Sequence, residues 1–410
     1  MSNWSRRNVL AAGALSAISA ACSASAEPER KHIVVVGAGI IGGSIAYHLA
    51  KMGVQVTVLE RHKIATRASR GTFAWLNATW AKQPQHYHRF NQLGLAEWKR
   101  LEKDLEIPIK WGGSIEWFES DDRQKLLGEQ IAEQVEWGEP ARMIGGEELR
   151  TLEPNVDFAA VQSAAYSPND GALDPVLTTQ ILLDAAQELG ATIKTDCGVK
   201  AVQKSANRTG VTVQTEKGEV ICNGIVLATG ADPDATKTLA GIDIPQRSTP
   251  GVIVVTEPQE PLLNRIVVAP GVHIHQRQDG RIVLGEQDGA PRNDAHTARL
   301  AGRPNAFPNR EFALQHADRI LATAQSYVPG IATAKAEDVY IGWRPLPVDG
   351  HPVIGFSPAM PNVYLAITHS GVSLAPIIGR LAAQELVEGI KLDALANYRP
   401  DRDFENVTRY

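Results

Sequence analysis

Apolar and polar positions change period several times along the chain, and each change marks an element. The earliest clear pattern runs from Lys31 to Arg61, KHIVVVGAGIIGGSIAYHLAKMGVQVTVLER. Ile33 to Val36 reads as a buried strand, and Ala46, Leu49 and Ala50 then share one helical face. Val54 to Leu59 reads as a second strand, ending in Glu60. Gln85 to Leu105 has helical spacing, with Phe90, Leu93, Trp98 and Leu101 available for one face. At Asp170-Gly171-Ala172-Leu173-Asp174-Pro175 a turn gives way to a helix, with Asp174 as N-cap and Pro175 as first helical residue. That helix runs to about Leu189, where Gly190 ends it. Short alternating runs follow: Thr192 to Thr195, Gly198 to Gln203, Val211 to Thr215 and Glu219 to Cys222. Gly224 to Gly230 is a buried strand closing on the small residues Ala228, Thr229 and Gly230, where backbone can approach a ligand.

The first of these units carries chemistry. Gly37, Gly39 and Gly42 stand between strand and helix in a complete strand-helix-strand context. Gly37 permits the tight turn, Gly39 lets backbone at Ala38 and Ile40 come close to a pyrophosphate, and Gly42 lets the helix pack on the strand. The helix N-terminus would face the phosphates with unpaired amides. Glu60, with Arg61 beside it, lies about twenty residues beyond the first glycine, where an acid binds the ribose hydroxyls of an adenosine. A carboxylate there repels a 2′-phosphate, which makes NADP the least suitable ligand. Ser69 and Gly71 belong to a small-residue loop that can close over the same ligand or be an ordinary connection.

Composition adds compartment and partners. Residues Ser5-Arg6-Arg7-Asn8-Val9-Leu10, a mildly apolar stretch to Ala21 and then Ala24-Ser25-Ala26 have the order of a twin-arginine export leader cleaved after Ala26. Residues 1–26 are therefore set apart from the fold, and a periplasmic or exported protein is expected. Cys22 offers a second reading, as a lipid-bearing residue. The 410 residues are 43% hydrophobic with a net charge of −5, enough for a large core in two domains. No basic patch argues for nucleic acid, and no second apolar run argues for an integral membrane span. Cys197 and Cys222 have no metal-ligand spacing and read as buried thiols, although an exported protein could join them in a disulfide. His86 and His88 point apart on a helix, so no metal pair is expected.

The opening unit, the DGALDP turn, the IVLATG strand and above all Gly342-Trp343-Arg344-Pro345-Leu346-Pro347-Val348-Asp349-Gly350 together resemble the FAD-dependent D-amino-acid oxidase and glycine/sarcosine oxidase (DAO) family. The tail from Val363 to Pro376, VYLAITHSGVSLAP, is similar to that family's closing strand-loop-helix. The resemblance implies an α/β fold: a Rossmann-like FAD-binding domain of the glutathione-reductase type built from discontinuous segments, with an antiparallel-sheet substrate domain between them. The expected division gives 31–80, 150–235 and 335–398 to FAD, 81–149 and 236–334 to substrate, and 399–410 to a C-terminal tail. Beside the residues of the glycine loop, the resemblance implies cofactor contacts from Ser69, Val199, Thr229, Gly230, Gly342, Ser370, Gly371, Val372 and Ser373. Where the sarcosine-oxidase branch resembles a flavin-linked cysteine this chain has Gly342, so non-covalent FAD is expected.

The reaction that the resemblance implies moves a hydride from the α-carbon of an amine or amino acid to flavin N5, leaving an imine that water hydrolyses. Electrons then pass to oxygen or a respiratory carrier. Arg344 takes the place of the arginine whose planar fork grips the substrate carboxylate. His273 and His275 share one face of a strand, and His273 falls where glycine-oxidase-like members resemble a substrate-facing tyrosine. An imidazole there can orient the amine or carry a proton, and solvent-facing histidines are the competing reading. Trp75, Trp80, Trp111 and Trp117 are candidates to line an apolar pocket or simply to pack. Three functions stay open: amino-acid or secondary-amine oxidation, the same chemistry on a hydroxy acid or uncharged amine, and FAD binding without catalysis.

Overall fold

Strand His32–Val36 is flanked on both sides by parallel neighbours, and its side chains divide by parity between two cores. Ile33 and Val35 enter the core formed with the helices, whereas Val34 enters the core on the opposite face. Burial on both faces explains why the run has no polar interruption. The computed structural model describes residues 31–79, 82–204, 210–286 and 303–407. The leader with Arg6, Arg7 and Cys22, together with Trp80, lies outside the described residues.

The parallel sheet has the order Val353–Phe356, Val363–Ile367, Gly224–Leu227, His32–Val36, Gln55–Leu59, Thr192–Lys194, and only its first edge strand is antiparallel. Helices Ile40–Lys51, Pro175–Glu188 and Gly371–Glu388 pack together against one face, and Gln85–Leu105 joins them. Asp174 caps its helix as expected, its carboxylate accepting from the amides of Val176 and Leu177 at 2.8 and 3.0 Å. Helix Gln85–Leu105 keeps its expected bounds, but the buried face runs through Tyr87, Phe90, Leu95, Trp98 and Leu101, and Leu93 is exposed. The other face of the sheet is covered by the antiparallel meander Val199–Lys204, Val211–Thr215, Gly218–Cys222 and by helix Pro233–Ala240. Cys197 and Cys222 are separate thiols buried in this layer. Burial pushes the Cys222 thiol up to about 11, so it is un-ionised at neutral pH.

An eight-stranded sheet forms the second body of structure, with helix Arg310–Tyr327 packed on it. Its neighbours are antiparallel except for one parallel pair, Ile266–Ala269 with Ser114–Glu116. Two of its strands, Ala164–Ser167 and Ala336–Pro347, come from segments expected to serve the cofactor fold. Ala336–Pro347 pairs along most of its length with Gln246–Pro258, setting Arg344 opposite Thr249 and Gly342 opposite Gly251. No helix among the described residues is long and apolar enough to cross a membrane.

Candidate active site

Backbone contacts define the glycine loop. Gly37 has φ +106°, and a Cβ there would lie 2.4 Å from the carbonyl oxygen of Ala228. A Cβ on Gly42 would lie 1.9 Å from the carbonyl oxygen of Gly37, so helix and turn touch main chain to main chain. The Gly39 position faces the cleft, and the helix that follows has no acidic residue in its first turn to neutralise its N-terminal dipole. Ser69 Oγ accepts from the Ile40 amide at 3.0 Å and so docks the loop after Glu60 onto this helix start.

Glu60 turns back on the same loop. Its Oε2 accepts from the Ala38 amide at 2.9 Å and its Oε1 from the His62 amide at 2.8 Å. A carboxylate has about four acceptor positions, so two remain for ligand hydroxyls. Arg61 pairs with Asp232 at 2.7 Å, tying the strand end to the loop after Gly230.

These residues open into one cleft of about 2530 Å³ that continues along the antiparallel sheet. That is well beyond the roughly 300–1,000 Å³ of a single drug-sized ligand. Gly37, Gly39, Ile40, Glu60, Arg61, Ser69, Val199, Thr229 and Gly230 line it, as do Ser370, Gly371, Val372 and Ser373. Ser370 has φ +52° at the start of helix Gly371–Glu388, and its Oγ accepts from Lys82 Nζ at 2.7 Å and Tyr87 Oη at 3.0 Å. Ser373 Oγ accepts from the Asn77 amide and donates to the Trp75 carbonyl, at 3.1 and 3.2 Å. Both serines thereby fix the helix start against the segment that forms the cleft wall.

His273 and Arg344 line the same cleft. The Arg344 guanidinium lies beside bare backbone: a Cβ on Gly251 would be 3.5 Å from its Nη2 and 3.8 Å from its Nε. Phe73 and Trp75 line the cleft beside His273, with ring centroids 5.4 and 6.0 Å from its ring.

Four expected site residues stand behind the wall. Ala38 is fully buried and contributes its amide to Glu60, and Gly42 faces Gly37. Gly342 packs against Gly71, where a Cβ would meet the Gly71 carbonyl oxygen at 1.8 Å, so its role is close backbone approach. His275 is 1% exposed, and its Nε2 bonds the Phe73 carbonyl at 2.9 Å. Burial, reinforced by Arg277, pushes its pKa down to about 3, which makes it a neutral packing residue and corrects its assignment as catalytic. Trp111 and Trp117 are structural: Trp111 donates to Glu102 at 2.8 Å, and Trp117 packs on Phe158 and Tyr327. His86 and His88 diverge, His86 to Tyr398 and His88 to the Ala78 carbonyl. Among the described residues no group of three or more His, Cys, Asp or Glu side chains is arranged to hold a metal ion.

Lys82 and Asp170 escape a reading of the residues alone. Lys82 is 6% exposed at the cleft, yet it comes from a polar stretch without periodicity. Asp170 is fully buried although it belongs to a turn motif, where polar residues ordinarily face water.

A glycine-loop parallel sheet, a carboxylate at the end of its second strand and a second, mostly antiparallel sheet presenting a guanidinium to the same cleft are the arrangement of a dinucleotide-binding α/β protein. The chain belongs to the FAD dependent oxidoreductase family (DAO), whose sequence pattern matches residues 32–385. It is 26% identical to the glycine oxidase of Bacillus licheniformis over 385 residues, 91% of this chain and 98% of that protein. It is 25% identical to the 4-methylaminobutanoate oxidase (formaldehyde-forming) of Paenarthrobacter nicotinovorans over 373 residues, 88% of this chain and 44% of that longer protein. The fold matches the crystal structure of glycine oxidase from Geobacillus kaustophilus with a TM-score of 0.78 at 22% identity, over 92% of this chain and 100% of that chain. The chain is thus an FAD-dependent enzyme, and the glycine cradle, Glu60 and the volume of the cleft fit that cofactor.

Proposed function

We propose that this enzyme oxidises a carboxylate-bearing amine, an amino acid or an N-substituted amino acid, with Arg344 as the carboxylate anchor. The observation that carries this reading is the Arg344 guanidinium beside Gly251 in the cleft that Gly39 and Glu60 also line. Relatives named for amine chemistry support it, including glycine oxidase and 4-methylaminobutanoate oxidase. Bound FAD would supply the two-electron acceptor for the hydride leaving the α-carbon. Arg344 would orient the carboxylate through paired N–H donors, fixing where the α-carbon lies. His273 lines the same cleft and would orient the amine. Electrons would then pass to oxygen or a respiratory carrier. The associated division of labour assigns 31–80, 150–235 and 335–398 to FAD and 81–149 and 236–334 to substrate, except that strands Ala164–Ser167 and Ala336–Pro347, the latter with Arg344, belong to the antiparallel sheet.

The test is an anaerobic screen of glycine, N-methylglycine, larger amino acids and carboxylate-free amines, read as loss of flavin absorbance. Bleaching by carboxylate-bearing amines is expected; bleaching only by carboxylate-free amines or by hydroxy acids would overturn the reading. FAD should be non-covalent, because Gly342 has no thiol and no room for one. Acid precipitation should therefore leave all yellow colour in the supernatant as FAD, and a coloured pellet would contradict this.

Export through the twin-arginine pathway belongs to the same proposal, since a cofactor captured in the cytoplasm requires a route for folded chains. Replacing Arg6 and Arg7 together by Lys should hold the precursor in the cytoplasm with its FAD. Normal export of that variant would refute the assignment. The N-terminal sequence of the mature protein separates cleavage after Ala26 from lipidation at Cys22.

A further inference from the structure

The cleft that Arg344 lines has an aromatic side whose support lies outside it. Phe73, Trp75 and His273 line the cleft and meet edge to face, with Phe73–His273 and Trp75–His273 interplanar angles of 62° and 78°. Behind them, Asp170 has no exposed surface. Its Oδ2 accepts from the Trp75 indole Nε1 at 2.9 Å and from Ser114 Oγ at 2.6 Å. Its Oδ1 has no hydrogen-bond partner among the described residues. The Trp75 backbone is fixed separately, because its carbonyl accepts from Ser373 Oγ. Tying the backbone does not set the angle of the ring; the bond to Asp170 fixes the polar edge of the indole, whose apolar part packs against Ala172, Ile266 and Val268.

We propose that Asp170 is a positioning residue: it holds Trp75 so that Phe73, Trp75 and His273 form a fixed aromatic wall for the apolar substituent of a carboxylate substrate. The site would accordingly favour amino acids with an apolar or aromatic substituent over unsubstituted ones. This rests on the reading of Arg344 as carboxylate anchor, since the wall selects only among ligands that Arg344 already holds. A fixed wall gains affinity by avoiding the cost of ordering a mobile ring on binding. Flat rings packed on aromatic neighbours gain further from offset and edge contacts.

Asp170 also gives the wall a pH signature. Burial raises its carboxyl from the ordinary 3.8 to about 7; Ser114, Trp75 and Lys82 oppose that rise and Glu139 adds to it. The folded chain keeps this proton up to about pH 7, whereas the unfolded chain releases it near 3.8. Its stabilising contribution is therefore full at low pH and is lost as pH rises through that window. The ionised carboxylate is the stronger acceptor, so the indole is held most firmly above pH 7.

The experiment uses the FAD-loaded enzyme and two probes, acetate and benzoate, with Kd read from perturbation of the flavin spectrum. Benzoate should bind the native enzyme more tightly than acetate, by a margin that grows between about pH 6 and about pH 8. Asp170→Ala should weaken benzoate on the order of tenfold and acetate by no more than about twofold. Asp170→Asn should keep most of the benzoate preference and lose its pH dependence. Trp75→Phe removes the indole donor without touching Asp170 and should reproduce the benzoate loss, which covers the case in which Asp170→Ala fails to fold. Unchanged benzoate binding in either folded variant would overturn the inference while leaving Arg344 untouched. A native enzyme that bound neither carboxylate would instead refute the Arg344 reading, and this inference with it.

Discussion

Arg344→Met will retain FAD and lose most of its activity on a carboxylate substrate. Truncating one partner of a desolvated, hydrogen-bonded charge pair typically costs about 2–5 kcal/mol, and much of that is the penalty on the partner left behind. At about 1.36 kcal/mol per tenfold, kcat/KM should fall by roughly 30-fold to several thousand-fold. Because the guanidinium fixes the α-carbon as well as the charge, KM should rise and kcat should fall together. Arg344→Lys should be nearly as impaired: an ammonium cannot reproduce the planar fork that lies beside Gly251. FAD content should stay native in both, since Glu60 and the Gly37–Gly42 turn are contributed by another part of the chain. Near-native kcat/KM in Arg344→Met with full FAD would make the arginine structural.

Gly342→Ala should damage cofactor binding, although residue 342 does not line the cleft. The added Cβ would sit 1.8 Å from the carbonyl oxygen of Gly71 and 2.5 Å from its carbonyl carbon. Both obstacles are main chain, so no rotamer change relieves them. Overpacking of this kind costs about 1–3 kcal/mol even where side chains can yield. Here relief requires the loop around Gly71 to withdraw, taking with it Ser69 and the hydrogen bond to the Ile40 amide. FAD should leave at lower temperature, read as the rise in flavin fluorescence on heating, and global unfolding should follow. Gly71→Ala meets Gly342 Cα at 2.3 Å and should have a similar effect. The double variant should be less destabilised than the sum of the two, since one contact is broken only once. A Gly342→Ala enzyme with native FAD retention would show that the two segments can separate without cost.

The legible parts of this fold are those written within a few residues of each other. The glycine turn with its flanking strands, the bounds of helix Gln85–Leu105 and the Asp174 cap all depend on local period or local hydrogen bonding. Leu93 falls outside the buried stripe because a 21-residue helix crosses several neighbours, and which stripe is covered depends on where they end. His273 and His275 share a face as strand alternation requires, and both rings meet Phe73. Their fates separate because His275 lies deeper, bonded to the Phe73 carbonyl, a contact across some 200 residues that no local pattern records. The pairings of Gly342 with Gly71 and of Asp170 with Trp75 are hidden for the same reason. The strand Ala336–Pro347 carries Arg344 in a motif that can be read directly, whereas its membership of the antiparallel sheet cannot.

The central strands of the parallel sheet arrive in an order that bears on biosynthesis. His32–Val36 lies beside Gly224–Leu227, which lies beside Val363–Ile367, and the helix that completes the cleft begins at Gly371. A ribosome working at about 5–20 residues per second needs roughly 20–60 s to travel from the first of these strands to the last. Throughout that interval the nascent glycine turn lacks the opposite wall of its own site. The cleft is consequently complete only once residues 370–373 have been made, and a message truncated before the codon for Val363 would yield a chain that lacks both that strand and the helix start beside it.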